Sequence, residues 1–479
     1  MPHQKLPVTF ILMGATGDLA LSRLWPALAR IQSELSHARI SVVAVATSER
    51  TQNDYAAFVR EKSEPSLGPA ERAALRELLA RTRYVAADTT QLKAFAPLLQ
   101  AVYAIDAELG VCSNKILYLA LPPKVLAQSL IPIAHSGLSL GCRGVGDGWV
   151  RIAVEKPFGE DEATARQLDE TLSKMFADEY VYRIDHYLGK SAVENILTFR
   201  FTNSLLISSW GCPEVERIRV RLWEKRGVEG RGAFFDKVGQ LRDVGQNHIL
   251  QMLAVALMED PKAYTAEAIR ASRAQALRFL EPVPSDLAWR GQYVGYRAEA
   301  GIDATSQTET AFRIEAHSNH PRWRGARIML ESAKKAPRDL VEVAVIFRER
   351  DTCLCDAQDA TDTRNVVRFV IQPEAKTQIR FFVRSPSLES RLRAKEVSLP
   401  FAEAERIPDA YELLLRDILM GRPMVFPTSA EVAAQWRFAD AARHILEQKP
   451  LAEYSPEAFP QRSLPAYQPW TLSHTLEEM

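Results

Sequence analysis

Residues Val8 to Ala20 read V-T-F-I-L-M-G-A-T-G-D-L-A, and this stretch decides the architecture of the first part of the chain. Val8 to Met13 is a continuous β-favouring apolar run, as expected of a strand covered on both faces in a parallel sheet. Gly14-Ala15-Thr16-Gly17-Asp18-Leu19 follow as a glycine turn, after which Leu24, Leu28 and Ile31 recur at helical spacing. Strand, glycine turn and helix in that order let the backbone approach a pyrophosphate, while the helix N-terminus supplies N–H donors. The pattern is G-x-x-G-x-x-A rather than the commoner G-x-G-x-x-G, and a plain strand-to-helix connection has the same look.

Further strands extend the pattern. Ile40 to Ala46 is the second, and it ends at Thr47-Ser48-Glu49-Arg50, where such a fold meets the adenosine ribose. An acid there binds a bare ribose hydroxyl and an arginine accepts a 2′-phosphate; Thr47 and Ser48, followed by Glu49 and Arg50, leave NAD and NADP both open. Arg60 to Thr82 has the pattern of a charged amphipathic helix, and Tyr84 to Ala87 that of a third strand ending at Asp88 and Thr89. Lys115 to Leu121 is a buried-strand run stopped by Pro122 and Pro123. Trp149 to Val154 is another strand, and it delivers Glu155-Lys156-Pro157-Phe158-Gly159. A lysine carried on a strand end into the crevice suits a group that touches cofactor and substrate together. Asp161 to Lys174 reads as a helix. This is a Rossmann-type dinucleotide-binding domain, expected over residues 1–180.

A chain of 479 residues is too long for one core, so a second domain is expected over residues 181–479. The apolar fraction of 47% and charged fraction of 25% are ordinary for a soluble globular protein. Sixty basic and 60 acidic residues give zero net charge, so no global field points to nucleic acid or an anionic membrane. No apolar run reaches the length of a membrane span, and Val8 to Met13 is too short for a signal-peptide core. Cys112, Cys142, Cys212, Cys353 and Cys355 are odd in number and scattered, which argues against a disulfide framework and for a reducing, cytoplasmic compartment. Cys353-Leu354-Cys355 has no companion pair at zinc spacing, so no metal is expected.

The second domain opens at Arg183 to Asn195, R-I-D-H-Y-L-G-K-S-A-V-E-N. Read as the start of a helix, it places His186 and Lys190 four apart on one face, a seat for a phosphate dianion, with Asp185 turned to another partner. Asn195 to Leu206 and Val215 to Trp223 alternate like strands with one wet face, and Glu224 closes the second run. Gly239 to His248 then leads into an apolar helix running to Met258. Asp243, Gln246, Asn247 and His248 crowd the head of that helix, a costly arrangement to bury without partners. Several alternating strands between Thr308 and Val383, including Leu340 to Arg348 and Val366 to Ile371, imply an α+β domain; helices are expected at Ala410 to Met420 and Ala430 to Glu447.

Five motifs carry a resemblance: G-A-T-G-D-L-A at 14–20, E-K-P-F-G at 155–159, R-I-D-H-Y-L-G-K at 183–190, E-G-R-G-x-F-F-D at 229–236 and R-D-V-x-Q-N-H at 242–248. In this order and spacing the chain resembles the glucose-6-phosphate dehydrogenase family. Weaker similarity continues through G-Q-Y-V-G-Y at 291–296, R-W-x-G at 322–325, I-Q-P-E at 371–374 and D-A-Y-E at 409–412. The resemblance implies a larger second domain with a mainly antiparallel sheet, and a homodimer or homotetramer. It implies NADP or NAD as cofactor and a sugar phosphate as substrate. It assigns His248 as catalytic base, Asp185 as the carboxylate that orients it, and His186, Tyr187 and Lys190 as holders of the 6-phosphate. Lys156 is matched to the lysine between cofactor and sugar, and Glu224, Asp243 and Lys334 to further substrate ligands.

The chain departs from the family pattern in four places. Ser22-Arg23 stand where an arginine–lysine pair is usual, and Thr47 where many members carry arginine. Glu331-Ser332-Ala333-Lys334 replaces R-T-G-K, a change of two charge units at the first position. The glycine- and tryptophan-rich pattern is absent from Tyr454 onward. These changes leave open a dehydrogenase of another aldose or modified sugar phosphate, and a nucleotide-binding paralogue without catalysis, beside the hexose-6-phosphate dehydrogenase itself.

Overall fold

The structure, a computed structural model, describes residues 7–35, 39–141, 148–204, 208–350, 362–386, 392–401 and 406–457. The chain divides into two compact units. The first is Met1–Ser191 with two returns, Asp260–Ala274 and Arg406–Ala433. The second is Ala192–Glu259, Gln275–Glu405 and Ala434–Met479.

The first unit is built on a six-stranded sheet in the order β3-β2-β1-β4-β5-β6. Its strands are β1 Val8–Met13, β2 Ile40–Ala46, β3 Thr82–Ala86, β4 Asn114–Leu119, β5 Val150–Glu155 and β6 Val181–Ile184. All pairings are parallel. The order reverses between β1 and β4, which opens a crevice at their carboxyl ends. Phe10 and Leu12 of β1, Ile116 of β4, Leu28 and Leu75 from flanking helices and Leu414, Leu415 and Ile418 from the helix Ala410–Met420 share one core. Each such side chain contributes roughly 1.5–3 kcal/mol by leaving water. Arg151 of β5 donates to the carbonyls of Ile418 (2.6 Å) and Leu419 (3.0 Å), satisfying acceptors that a helix end leaves open. The single helix expected at 60–82 is two, Gln52–Ser63 and Pro69–Ala80. Pro65, Gly68 and Pro69 interrupt the backbone where the charge pattern runs on unbroken.

The second unit carries a ten-stranded sheet in the order β15-β14-β13-β12-β7-β11-β10-β9-β16, with β8 paired to β10. Its strands are β7 Val215–Trp223, β8 Leu280–Val283, β9 Trp289–Tyr293, β10 Ala311–Ser318, β11 Arg327–Ala333, β12 Leu340–Phe347, β13 Val366–Gln372, β14 Lys376–Arg384, β15 Leu392–Pro400 and β16 Leu451–Tyr454. Pairing is antiparallel except for β7 with β11 and β9 with β16. One expectation is overturned: Asn195 to Thr202 is not strand but part of the helix Ser191–Thr202. Its β-branched and aromatic residues favour a strand locally, yet Val193, Ile196, Leu197 and Arg200 are buried at helical spacing, so packing decides. Arg200 donates to the carbonyls of Val255 (2.5 Å) and Met258 (2.7 Å) at the end of the helix Leu250–Leu257.

Cys112 is disulfide-bonded, a departure from the reading of a chain without bridges, whereas Cys212 is free and exposed. Five cysteines leave room for a pair that spacing alone does not reveal. Cys353-Leu354-Cys355 and the tail from residue 458 lie outside the described residues. Among the described residues no helix is long and apolar enough to cross a membrane.

Candidate active site

In the first unit the glycine turn is fixed by close approach. Gly14 has φ +87°, and a Cβ there would lie 2.1 Å from the Ala120 carbonyl oxygen, so a side chain would push the turn off the neighbouring strand end. The amides of Gly14 and Ala15 both donate to the Val45 carbonyl (2.9 and 3.0 Å), and Gly17 N donates to the Gly14 carbonyl (3.0 Å). Leu21 N donates to the Gly17 carbonyl (3.2 Å), so helical bonding starts at Gly17. Trp25 Nε1 donates to Tyr55 Oη (3.1 Å), which donates to the Ala15 carbonyl (3.0 Å), pinning the turn. Bare backbone at the crevice, followed at once by a helix N-terminus, fits a dinucleotide pyrophosphate, with Thr16, Asp18 and Leu19 completing the turn.

The rim around this turn is partly engaged in local structure. Thr47 is exposed, and Ser48 Oγ shares a hydrogen bond with Tyr84 Oη (3.0 Å). Arg50 is exposed, and its guanidinium lies 4.2 Å from the centre of the Phe58 ring. Asp88 accepts from Thr90 Oγ1 (2.7 Å) and Thr90 N (3.0 Å), bonds that hold its carboxyl below the ordinary range. Thr89 is buried and shares a hydrogen bond with Ser129 Oγ (2.8 Å). Pro122 precedes the helix Pro123–Ser136 at its N-cap position.

The motif at 183–190 is a strand end and a turn, not the helix start expected. β6 stops at Ile184, and the helix begins only at Ser191. Asp185, 2% exposed, accepts from Tyr187 N (2.9 Å), and Lys190 N donates to the Tyr187 carbonyl (3.1 Å). An aspartate that bonds the amide two residues on offers the backbone a turn in place of a helix. Gly189 packs against the returning helix: a Cβ there would meet Leu414 Cγ at 2.7 Å. The His186 and Tyr187 ring centroids are 4.9 Å apart, and Lys190 Nζ lies 4.1 Å from the Tyr187 ring centre. Burial pulls the Lys190 ammonium down to about 8, against Asp409 and Asp185, which favour its charge. At neutral pH it is therefore a partly desolvated cation, suited to phosphate.

Lys156, half-buried, follows β5 and precedes a cis bond to Pro157. Its neighbour Glu155 is half-buried and accepts from Tyr118 Oη (2.5 Å) and from the Tyr411 hydroxyl. Tyr411 also lies parallel to His186, ring centroids 6.3 Å apart at 11°. Arg23 pairs with Asp409 at 3.4 Å, so the departure at Ser22-Arg23 places a guanidinium beside the N-cap of the helix Ala410–Met420. Sequence reasoning missed Glu155, Tyr118 and Tyr411. The signals were present as the acid before Lys156, a lone hydroxyl in K-I-L-Y-L-A-L, and the D-A-Y-E motif.

In the second unit His248 and Asp243 lie on a π-helical segment, Leu241–Ile249, rather than on the α-helix the sequence suggests. Such widened turns are rare and recur at functional sites. Asn247 holds this one: its Nδ2 donates to the carbonyls of Asp243 (3.0 Å) and Arg242 (3.3 Å), and its Oδ1 accepts from His248 N (2.7 Å). Glu309 accepts from Leu241 N (3.1 Å) at the head of the segment. The buried polar cluster at 246–248 thus finds part of its partners in its own backbone. Lys334, 2% exposed, donates to Glu224 Oε2 (2.7 Å), so two predicted substrate ligands are paired. Glu331 is buried, accepting from Arg313 Nε (2.9 Å) and Nη2 (2.6 Å) and from Trp223 Nε1 (2.9 Å). Its carboxylate is matched by Arg313, which answers the two-unit charge change read from the sequence.

Two family models together match most of the chain: glucose-6-phosphate dehydrogenase, NAD binding domain, over residues 11–195, and glucose-6-phosphate dehydrogenase, C-terminal domain, over residues 197–465. Glucose-6-phosphate 1-dehydrogenase 2 of Mycobacterium tuberculosis is 33% identical over 462 residues, spanning 92% of this chain and 89% of that protein. The glucose-6-phosphate 1-dehydrogenase of Dictyostelium discoideum is 30% identical over 450 residues, 91% of this chain and 88% of its own. A solved glucose-6-phosphate dehydrogenase in complex with its substrate glucose-6-phosphate matches with TM-score 0.85 and 28% identity, over 94% of this chain and 95% of that one. The Mycobacterium avium glucose-6-phosphate 1-dehydrogenase matches with TM-score 0.82 and 26% identity, over 94% of each chain. With its Gly14 turn, its 183–190 motif and both halves matched, the chain belongs to the glucose-6-phosphate dehydrogenase family.

Proposed function

We propose that this protein oxidises C1 of glucose 6-phosphate to the 1,5-lactone with NADP or NAD. The observation that carries the reading is the turn at 185–190. There Lys190, five residues past an aspartate only 2% exposed at the turn's start, is a partly desolvated cation over the Tyr187 ring, which neighbours the His186 ring. A bound nicotinamide supplies the hydride acceptor. His248 takes the proton of the C1 hydroxyl, and Asp185 fixes its tautomer and stabilises the imidazolium. His186, Tyr187 and Lys190 grip the phosphate, and Lys156 contacts sugar and cofactor. Glu224, Asp243 and Lys334 hold the sugar hydroxyls. Holding the remote phosphate keeps C1 in place, so its binding energy serves turnover as well as affinity.

Thr47 supports use of NAD alongside NADP, because an exposed threonine gives a 2′-phosphate no cation. Exposed apolar side chains on β14 and β15, Phe381, Val383, Val397 and Leu399, support a homodimer or homotetramer. The test is steady-state kinetics of the purified protein on glucose 6-phosphate with each nicotinamide. Reduction of both is expected, with kcat/KM values within about tenfold, or 1.4 kcal/mol, of each other. Absence of reduction with either cofactor sinks the proposal.

A further inference from the structure

Glu155 is a half-buried carboxylate next to the turn at 185–190, and no role above uses it. It ends β5, immediately before Lys156. Tyr118 of β4 donates to its Oε1 at 2.5 Å, and the Tyr411 hydroxyl, from the helix Ala410–Met420, is its second donor. Tyr411 lies parallel to His186, and its own amide donates to Asp409 Oδ1 (2.9 Å). One carboxylate therefore ties the sheet to the returning helix, between the lysine on one side and the phosphate turn on the other.

We propose that Glu155 is a positioning residue, whose carboxylate anchors Lys156 directly and His186 through Tyr411. The inference rests on the sugar-phosphate dehydrogenase reading. The charged and titratable groups facing it are Tyr118 from β4, Lys156 beside it, Asp185 after β6 and Tyr411 from the returning helix; Arg23 and Asp409 act on Tyr411 in turn. Burial pushes the Glu155 carboxyl up to about 7, with Asp185 adding to the rise, while Tyr118, Lys156 and Tyr411 favour the anion. Its charge is therefore lost as pH falls through neutrality. Below that point Lys156 loses a neighbouring anion, and the carboxyl turns from a double acceptor into a donor and acceptor.

Glu155→Gln mimics the protonated carboxyl at every pH. The measurement is the ratio of wild-type to Glu155→Gln kcat across about pH 5.5 to 8.5, on variants whose melting curves match wild type. Titration of the catalytic base affects both proteins and cancels in the ratio. The expected ratio is about tenfold at the alkaline end, as for one lost charge-assisted hydrogen bond, and falls toward one at the acid end. A second variant, Tyr411→Phe, keeps the ring and removes one donor to the anion, so its acid limb moves to higher pH. A ratio constant with pH, as a merely structural residue would give, overturns the inference while leaving the dehydrogenase reading intact. A wild type inactive on sugar phosphates overturns both.

Discussion

Lys190 illustrates what a single residue gains from its surroundings. Its ammonium is pulled to about 8 by burial, so it stays charged below that pH and loses charge above it. Capture of the sugar phosphate by wild type is expected to weaken as pH rises through about 8. Lys190→Arg, which cannot deprotonate there, should hold its affinity over the same range. Lys190→Ala is expected to lower kcat/KM for glucose 6-phosphate by about 10²-fold while free glucose changes little, in line with one charge-assisted bond to phosphate. Steady-state kinetics on both sugars at several pH values check this, and equal losses on the two would move the phosphate elsewhere. At this scale the sequence was informative about residue types and silent about their partners. Glu331 looked like a stray negative charge, because its partner Arg313 stands on the adjacent strand, a relation of register and not of spacing.

At the scale of elements, β12 shows how the ten-stranded sheet tolerates charge at its centre. Glu342 is fully buried there, accepting from Arg221 Nε (2.6 Å) and from Arg368 Nε, with Arg219 Nη2 at 3.7 Å. Burial alone would push its carboxyl up, but Arg221, Arg368 and Arg219 outweigh it and hold it at about 2. The folded value is below the unfolded one, so this stabilisation is fully present above about pH 4.5 and lost as pH falls through about 2. Glu342→Ala leaves three arginines without their shared carboxylate and is expected to cost about 3–5 kcal/mol. Urea melts at neutral pH check it; a loss below about 1 kcal/mol would show the arginines finding other partners. β1 and β2, buried on both faces, and the alternating β7 were the easiest to read, because an apolar or regularly alternating run has few alternatives. The helix Ser191–Thr202 was misread because its composition favours strand and only packing selects the helix.

For the whole molecule, the chain enters the first unit three times, and two of those entries left no mark in the sequence. Leu414, Leu415 and Ile418 look like the apolar stripe of any helix; nothing in their spacing says that they complete a core begun at Phe10. The same return carries Tyr411 and Asp409 to the turn at 185–190, which is why the motif at 183–190 was legible and its support was not. The π-helical turn that carries His248 was hidden for a related reason, since Asn247 bonding back to Asp243 replaces the ordinary ladder without altering the apolar period. The central claim is that a histidine on that turn removes the C1 proton of a sugar held by its phosphate. The most direct measurement compares wild type with His248→Ala, following cofactor reduction with glucose 6-phosphate and, separately, substrate binding by calorimetry. The account predicts a kcat loss of about 10²–10⁴-fold, the range for a general base, with the dissociation constant of glucose 6-phosphate changed by less than about threefold. Undiminished turnover in His248→Ala would contradict it.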